Sequence, residues 1–265
     1  MKRPQVLACR STTARLIARS VNGIVGQVDP SDPTETHSGG AFDKFAHQYD
    51  ALLSQSLKIA GEDGVYFARG RLDWLAHRLS ALNFNPTTVV DFGCGTGSTI
   101  PLFFDILGAQ RVIALDESVE LLNMARRQYG HLSVSFSLQS SGRPESCDLV
   151  FCSAVFHHIP PTARLAVARA IRTSLRHGGL FALWEHNAWS PAARYVMSRC
   201  EFDRDARPLS ASVARRLLIE AGFEIVATDF LFIFPRFLRT LRWSERMLTK
   251  LPLGAQFQVL GRRIG

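Results

Sequence analysis

The sequence predicts an α/β domain, a mostly parallel sheet of seven strands with helices on both faces. Three observations carry this. From Pro86 onward, short apolar runs alternate with stretches of helical periodicity, as βα units require. The first such run closes in a glycine-rich turn, residues 89–97, VVDFGCGTG, poised between a buried strand and a helix start. The length, 265 residues, suffices for one domain of this kind with appendages, and not for two of full size.

Residues 1–28 carry five Lys/Arg and no acid, and residues 27–40, QVDPSDPTETHSGG, offer almost nothing to bury. Residues 1–40 therefore read as a disordered basic arm and linker, with organellar targeting by residues 1–28 as the competing reading. The domain then occupies residues 41–265. Residues 41–53 and 64–82 look helical, the second through Tyr66, Phe67, Leu72, Leu75 and Leu79, and this pair forms an N-terminal helical cap. Strands follow at 88–92, 111–115, 133–137, 148–152 and 179–184, with helices at 99–107, 119–129, 161–176 and 210–221. Right-handed crossovers distribute those helices over the two faces. Strands at 224–232 and 255–261 finish the far edge.

The formal charge of +8 does not favour a nucleic-acid partner, because of where it sits. Residues 232–265 hold seven Lys/Arg against Glu245 alone; the two ends together carry +11 and the middle must be net −3. No broad basic face is left for a phosphate backbone. The five cysteines are odd in number and form no C-x-x-C pair, so neither a disulfide framework nor a zinc site is indicated, and a reducing cytoplasm is the simplest location. No apolar run approaches the ~20 residues needed to span a bilayer.

A glycine-rich turn after a strand suits a nucleoside-bearing ligand, and by itself leaves a dinucleotide in contention. Asp91 tips the balance. Standing two residues before the first glycine, its carboxylate would oppose a pyrophosphate but suits a cationic amino-acid group. Asp116, 25 residues further on at the end of the second strand, can accept hydrogen bonds from both hydroxyls of a ribose. Ser118 can serve as the cap of the following helix. The stretch CDLVFCSAVFHHIP brings Ser153 to the C-terminal end of a strand, followed by His157 and His158. The stretch LRHGGLFALWEHN ends in Glu185, His186 and Asn187.

Taken in order, these motifs resemble class I S-adenosylmethionine-dependent methyltransferases of the small-molecule and quinone-type branch, over residues 42–230. The resemblance implies a Rossmann-like methyltransferase fold with S-adenosylmethionine as methyl donor. It implies that Asp91 holds the methionine end of the cofactor, that Gly93, Cys94, Gly95 and Gly97 pass beneath it, and that Asp116 takes the ribose. An acid usually contacts the adenine after the third strand, and here Ser140 stands near its place. The opening AFDKFAHQYDALL resembles a segment whose aromatics, here Phe42 and Tyr49, close over the cofactor; a hydrophobic staple is the other reading.

The implied reaction is direct displacement onto an oxygen, nitrogen or carbon of a small-molecule acceptor, lipid-like or a secondary metabolite. Only an acceptor that must lose a proton needs a base, and His157, Glu185 and His186 are the candidates. The His pair also fits scaffolding, and no metal-ligand spacing accompanies it. Residues 235–251 predict an amphipathic helical insertion, with Phe237, Leu238, Leu241, Leu248 and Leu251 on one side and five basic residues on the other. Such a helix docks on an acidic membrane surface or packs on the sheet, and both readings stay open. A nucleic-acid or protein methyltransferase and a non-catalytic cofactor-binding scaffold are the other functional classes.

Overall fold

The computed structural model describes residues 61–139, 147–200 and 206–265. The predicted arm, the helix at 41–53, Phe42, Tyr49 and Ser140 lie outside them. The described elements, in chain order, are α1 (Gly64–Ala81), β1 (Thr88–Phe92), α2 (Ile100–Leu107), β2 (Arg111–Asp116), α3 (Val119–Tyr129), β3 (Val134–Leu138), β4 (Cys147–Ser153), α4 (Pro161–Ser174), β5 (Leu175–His186), α5 (Pro191–Arg199), α6 (Ala211–Glu220), β6 (Phe223–Leu231), a 3₁₀ segment (Arg236–Ser244), α7 (Glu245–Leu248) and β7 (Gln256–Arg263).

All seven predicted strands are present, in the order β3-β2-β1-β4-β5-β7-β6. Neighbouring strands among β1 to β5 run parallel, and β7 is antiparallel to both β5 and β6. The apolar runs of β1, β2 and β4 follow from this, since a parallel strand covered on both faces must be apolar throughout. One face packs Val90, Val150, Phe181 and Val259 against α4 and α6. The other packs Val89, Leu149, Ala182 and Trp184 against α1 and α2. Helix α1 thus lies flat on the sheet through Leu72, Leu75 and Leu79, and Asp63 caps it by accepting from the Tyr66 amide.

Two buried carboxylates lock the strand ends. Asp148 accepts from the amides of Thr87 and Thr88, the Thr87 hydroxyl and Arg176 Nε, and so joins the starts of β1, β4 and β5. Burial alone would raise its pKa; these four donors overcome that and hold it down to about 2. With the folded pKa depressed, the stabilisation is present above pH ~4 and is lost as pH falls towards about 2. Asp148→Asn is therefore expected to lose roughly 2 kcal/mol in urea unfolding at pH 7. That difference from the parent should vanish near pH 2. Asp229, fully buried in β6, accepts from Trp74 Nε1, both arms of the Arg78 fork and Lys250 Nζ, pinning α1 to the far edge.

Two elements differ from expectation. Helix α5 follows a signal that was present in the sequence: Ser190 caps it by accepting from the Ala193 amide, with Pro191 in the first turn. The predicted amphipathic helix at 235–251 is instead a 3₁₀ segment and a single four-residue turn, with Leu238 off helical geometry at φ −106°, ψ 21°. A short helix is stable when it buries an apolar face, and none of these helical residues is buried. Of the predicted apolar side, Phe237, Leu241 and Leu251 face solvent, while Leu238 and Leu248 are half-buried.

Candidate cofactor and acceptor site

Parallel strands place their ligand sites at their C-terminal edge, and here Asp91, Asp116, Ser153 and Glu185 all arrive there. The glycine-rich turn is fastened to β2. The amides of Gly93 and Cys94 both donate to Leu115 O at 2.7 and 2.9 Å, and the Gly95 amide donates to Asp116 Oδ2 at 2.8 Å. Asp116 also accepts from the Ser118 amide at 3.0 Å, while Ser118 Oγ caps α3 as expected. Two backbone donors therefore fix the Asp116 carboxylate at the strand end before any ligand is bound.

Two of the glycines also make room within the protein itself. Gly93 sits at φ +79°, and a Cβ there would fall 2.3 Å from Val155 Cγ2 in the turn after β4. At Gly97, φ +81°, a Cβ would press on Ile100, Ala125 and Tyr129 at 2.9 to 3.0 Å. At these two positions the absent side chain makes room for neighbouring parts of the protein, and that close approach draws the turn down onto the sheet.

Asp91 is buried, and its Oδ2 has no hydrogen-bond partner. Burial first, and then the like charge of Asp116, push its carboxyl up to about 7, against a pull downward from Arg71. A carboxylate in this position calls for a cation. Arg71, on α1, was missed by a reading that took this helix only as core; its Nη1 donates to Gln256 Oε1 at 3.2 Å. The clue was an arginine beside Leu72 and three residues from Ala68, on the buried stripe.

At the ends of β4 and β5, His157 Nδ1 lies 2.7 Å from Glu185 Oε2, and the Phe156 amide donates to Glu185 Oε1 at 2.8 Å. Burial alone would raise the Glu185 pKa, but His157, followed by His186 and His158, holds it below the usual range. The imidazole of His157 stands 4.2 Å from that of His158 and 5.6 Å from that of His186. Ala154 adopts φ +58° while its amide continues the pairing onto Trp184 O, a strained residue at the strand exit.

The structure therefore brings His157, Glu185 and His186 together. Glu185 and Asn187 turn into the fold. Both are about 2% exposed, Glu185 held to His157 and Asn187 donating to the carbonyls of Pro252 and Gly254. Polar groups after an apolar strand need partners, and they found them within the fold. Cys94 is buried, and its thiol is pushed well above its ordinary pKa by burial, then by Asp116 and Asp91, so it is no nucleophile. Ser153 is half-buried at the end of β4. Among the described residues, no group of three or more His, Cys, Asp or Glu could hold a metal ion.

Residues 89–179 match the family model described as a methyltransferase domain. Over 95 residues the chain is 33% identical to the trans-aconitate 2-methyltransferase of Rhizobium etli, covering 36% of each protein. Over 170 residues it is 31% identical to that of Streptomyces coelicolor, covering 61% of this chain and 54% of the relative. The chain thus spans between a third and about half of the length of these relatives. Among solved structures, the plantazolicin methyltransferase in complex with S-adenosylhomocysteine and a triazolic desmethylPZN analogue superimposes with a TM-score of 0.60 at 14% identity, over 95% of this chain and 99% of that one. Human N-acetylserotonin methyltransferase gives 0.59 at 15% identity, over 96% and 67%. These likenesses describe the same fold. With that fold, the matched methyltransferase domain at residues 89–179 and its motifs in order, the chain is similar to the class I, Rossmann-like S-adenosylmethionine-dependent methyltransferases.

Proposed function

We propose that this chain transfers a methyl group from S-adenosylmethionine to a small-molecule acceptor in the cytoplasm. The observation that carries this is Asp91, a buried carboxylate with an unpartnered oxygen below a glycine turn, where a ligand ammonium would restore its ordinary ionisation. The residues fit the cofactor. Asp91 would hold its amino-acid end and Asp116 its ribose, with Ser153 at the β4 exit; Tyr49 and Ser140 complete the proposed set. The bound cofactor supplies a methyl group already activated by positive sulfur.

The protein's own work is then alignment and exclusion of water. Where an acceptor must lose a proton, His157 takes it, oriented by Glu185, with His186 beside it. A carboxylate acceptor, the kind named in the trans-aconitate relatives, would already be ionised and need no base. The net acidic middle of the sequence supports a small acceptor over nucleic acid.

Labelled methyl from the cofactor, supplied to fractionated extracts with the full-length chain, is expected to enter a small-molecule pool. Label confined to protein or RNA would overturn the acceptor class. Absence of S-adenosylmethionine binding by calorimetry would leave a non-catalytic scaffold.

A further inference from the structure

The segment between β6 and β7 is fastened to the fold through polar groups and turns several large apolar side chains outward. Glu245 accepts from the Phe234 amide, Arg242 pairs with Glu62 at 3.0 Å and stacks on Tyr66, and Lys250 reaches Asp229. Asn187 holds the carbonyls of Pro252 and Gly254, and the Phe230 amide donates to Thr249 O. Against this anchored side, Phe237 is 80% exposed, Trp243 75%, Met247 78% and Leu253 57%. A segment that served only packing would do the reverse. Scattered surface apolar residues are ordinary; four large ones within 17 residues of a fastened segment are not.

Charge says what covers them. Arg236, Arg239 and Arg246 are exposed among these residues, and the one acid of the segment, Glu245, is turned in to the backbone. A second copy meeting this face across a two-fold axis would set these cations against one another. An anionic bilayer answers both features, with aromatic and Met side chains entering the headgroup boundary and arginines meeting lipid phosphates. Position gives the contact a purpose. Gln256 pairs with His186 on one side and Leu231 on the other, so the segment rises from the same sheet edge as Asp91, Asp116 and the His157 cluster.

We propose that residues 236–253 are a membrane-docking surface that seats the ligand-binding edge of the sheet on an anionic lipid bilayer. The contact is peripheral, since among the described residues no helix is long and apolar enough to cross a membrane. In flotation, the full-length chain is expected to rise with phosphatidylcholine vesicles containing phosphatidylglycerol, and at least about tenfold less with phosphatidylcholine alone. Substitution of Phe237, Trp243 and Met247 together by Ser, or Arg239→Glu with Arg246→Glu, should each reduce flotation by at least about tenfold. Thermal unfolding of both variants should stay at the parent value, because no substituted side chain is buried.

A parent chain that remains at the bottom of the gradient, or an apolar triple variant that floats as the parent does, would overturn the proposal. So would a dimer lost in the triple variant by sedimentation while vesicle binding is absent. No cofactor or acceptor enters the assay, so its outcome is independent of the proposed methyl transfer.

Discussion

Asp91→Asn is expected to weaken S-adenosylmethionine binding by about 100-fold while making the ligand-free protein more stable. Both effects come from one buried oxygen without a partner. In the free protein the ionised carboxylate is desolvated and repelled by Asp116. Asparagine removes that charge. The raised pKa means that the folded state favours the protonated acid; its stabilising contribution is present below pH ~4 and is lost as pH climbs through about 7. With the carboxyl raised to about 7, the ceiling on this loss is about 4 kcal/mol. At pH 8 the variant should therefore melt several degrees above the parent. A variant that binds the cofactor as the parent does, or that melts lower at pH 8, would dispose of this account.

The same group makes binding sensitive to pH in the parent. With Asp91 near pKa 7 in the free protein, about a tenth is ionised at pH 6 and about nine tenths at pH 8. A bound ammonium keeps it ionised. Affinity should thus be about tenfold tighter at pH 8 than at pH 6, and binding near pH 7 should release protons. Calorimetry in buffers of different ionisation enthalpy reads that release directly. Asp91→Asn should flatten both signals.

The strands were legible because parallel pairing buries both faces, so that TVVDF and CDLVFCS read as uninterrupted runs. Asp91 and Asp116 were legible because each stands where an apolar strand meets a turn. What stayed hidden depends on distance through space. Nothing local tells that Val155 fills the space above Gly93, or that Glu185 turns back onto His157 from 28 residues away. Arg71 comes within electrostatic reach of Asp91 only because α1 lies on the sheet. The segment after β6 was misread for a related reason: its periodicity is real, but periodicity forms a helix only where a face is buried, and here none is.

Glu185→Gln should separate orientation of His157 from simple packing, with kcat falling by about 100-fold for an acceptor that must lose a proton. Glu185 stays ionised with its pKa held down, and a carboxylate can only accept, so Nδ1 of His157 carries the proton and Nε2 is its basic nitrogen. Glutamine keeps the volume and the bond from the Phe156 amide, yet its amide nitrogen cannot accept from Nδ1. The imidazole then changes tautomer or turns. Affinity for S-adenosylmethionine should stay within about threefold, and the pH dependence of kcat should shift with the loss of rate. Glu185→Ala is the contrasting case, since stripping one partner from a buried pair costs about 3–5 kcal/mol and should lower the melting temperature as well. If Glu185→Gln keeps both kcat and its pH profile while Glu185→Ala melts early, His157 is held for packing alone. A carboxylate acceptor predicts the same retained kcat, so an alcohol or phenol acceptor has to be used to distinguish the two.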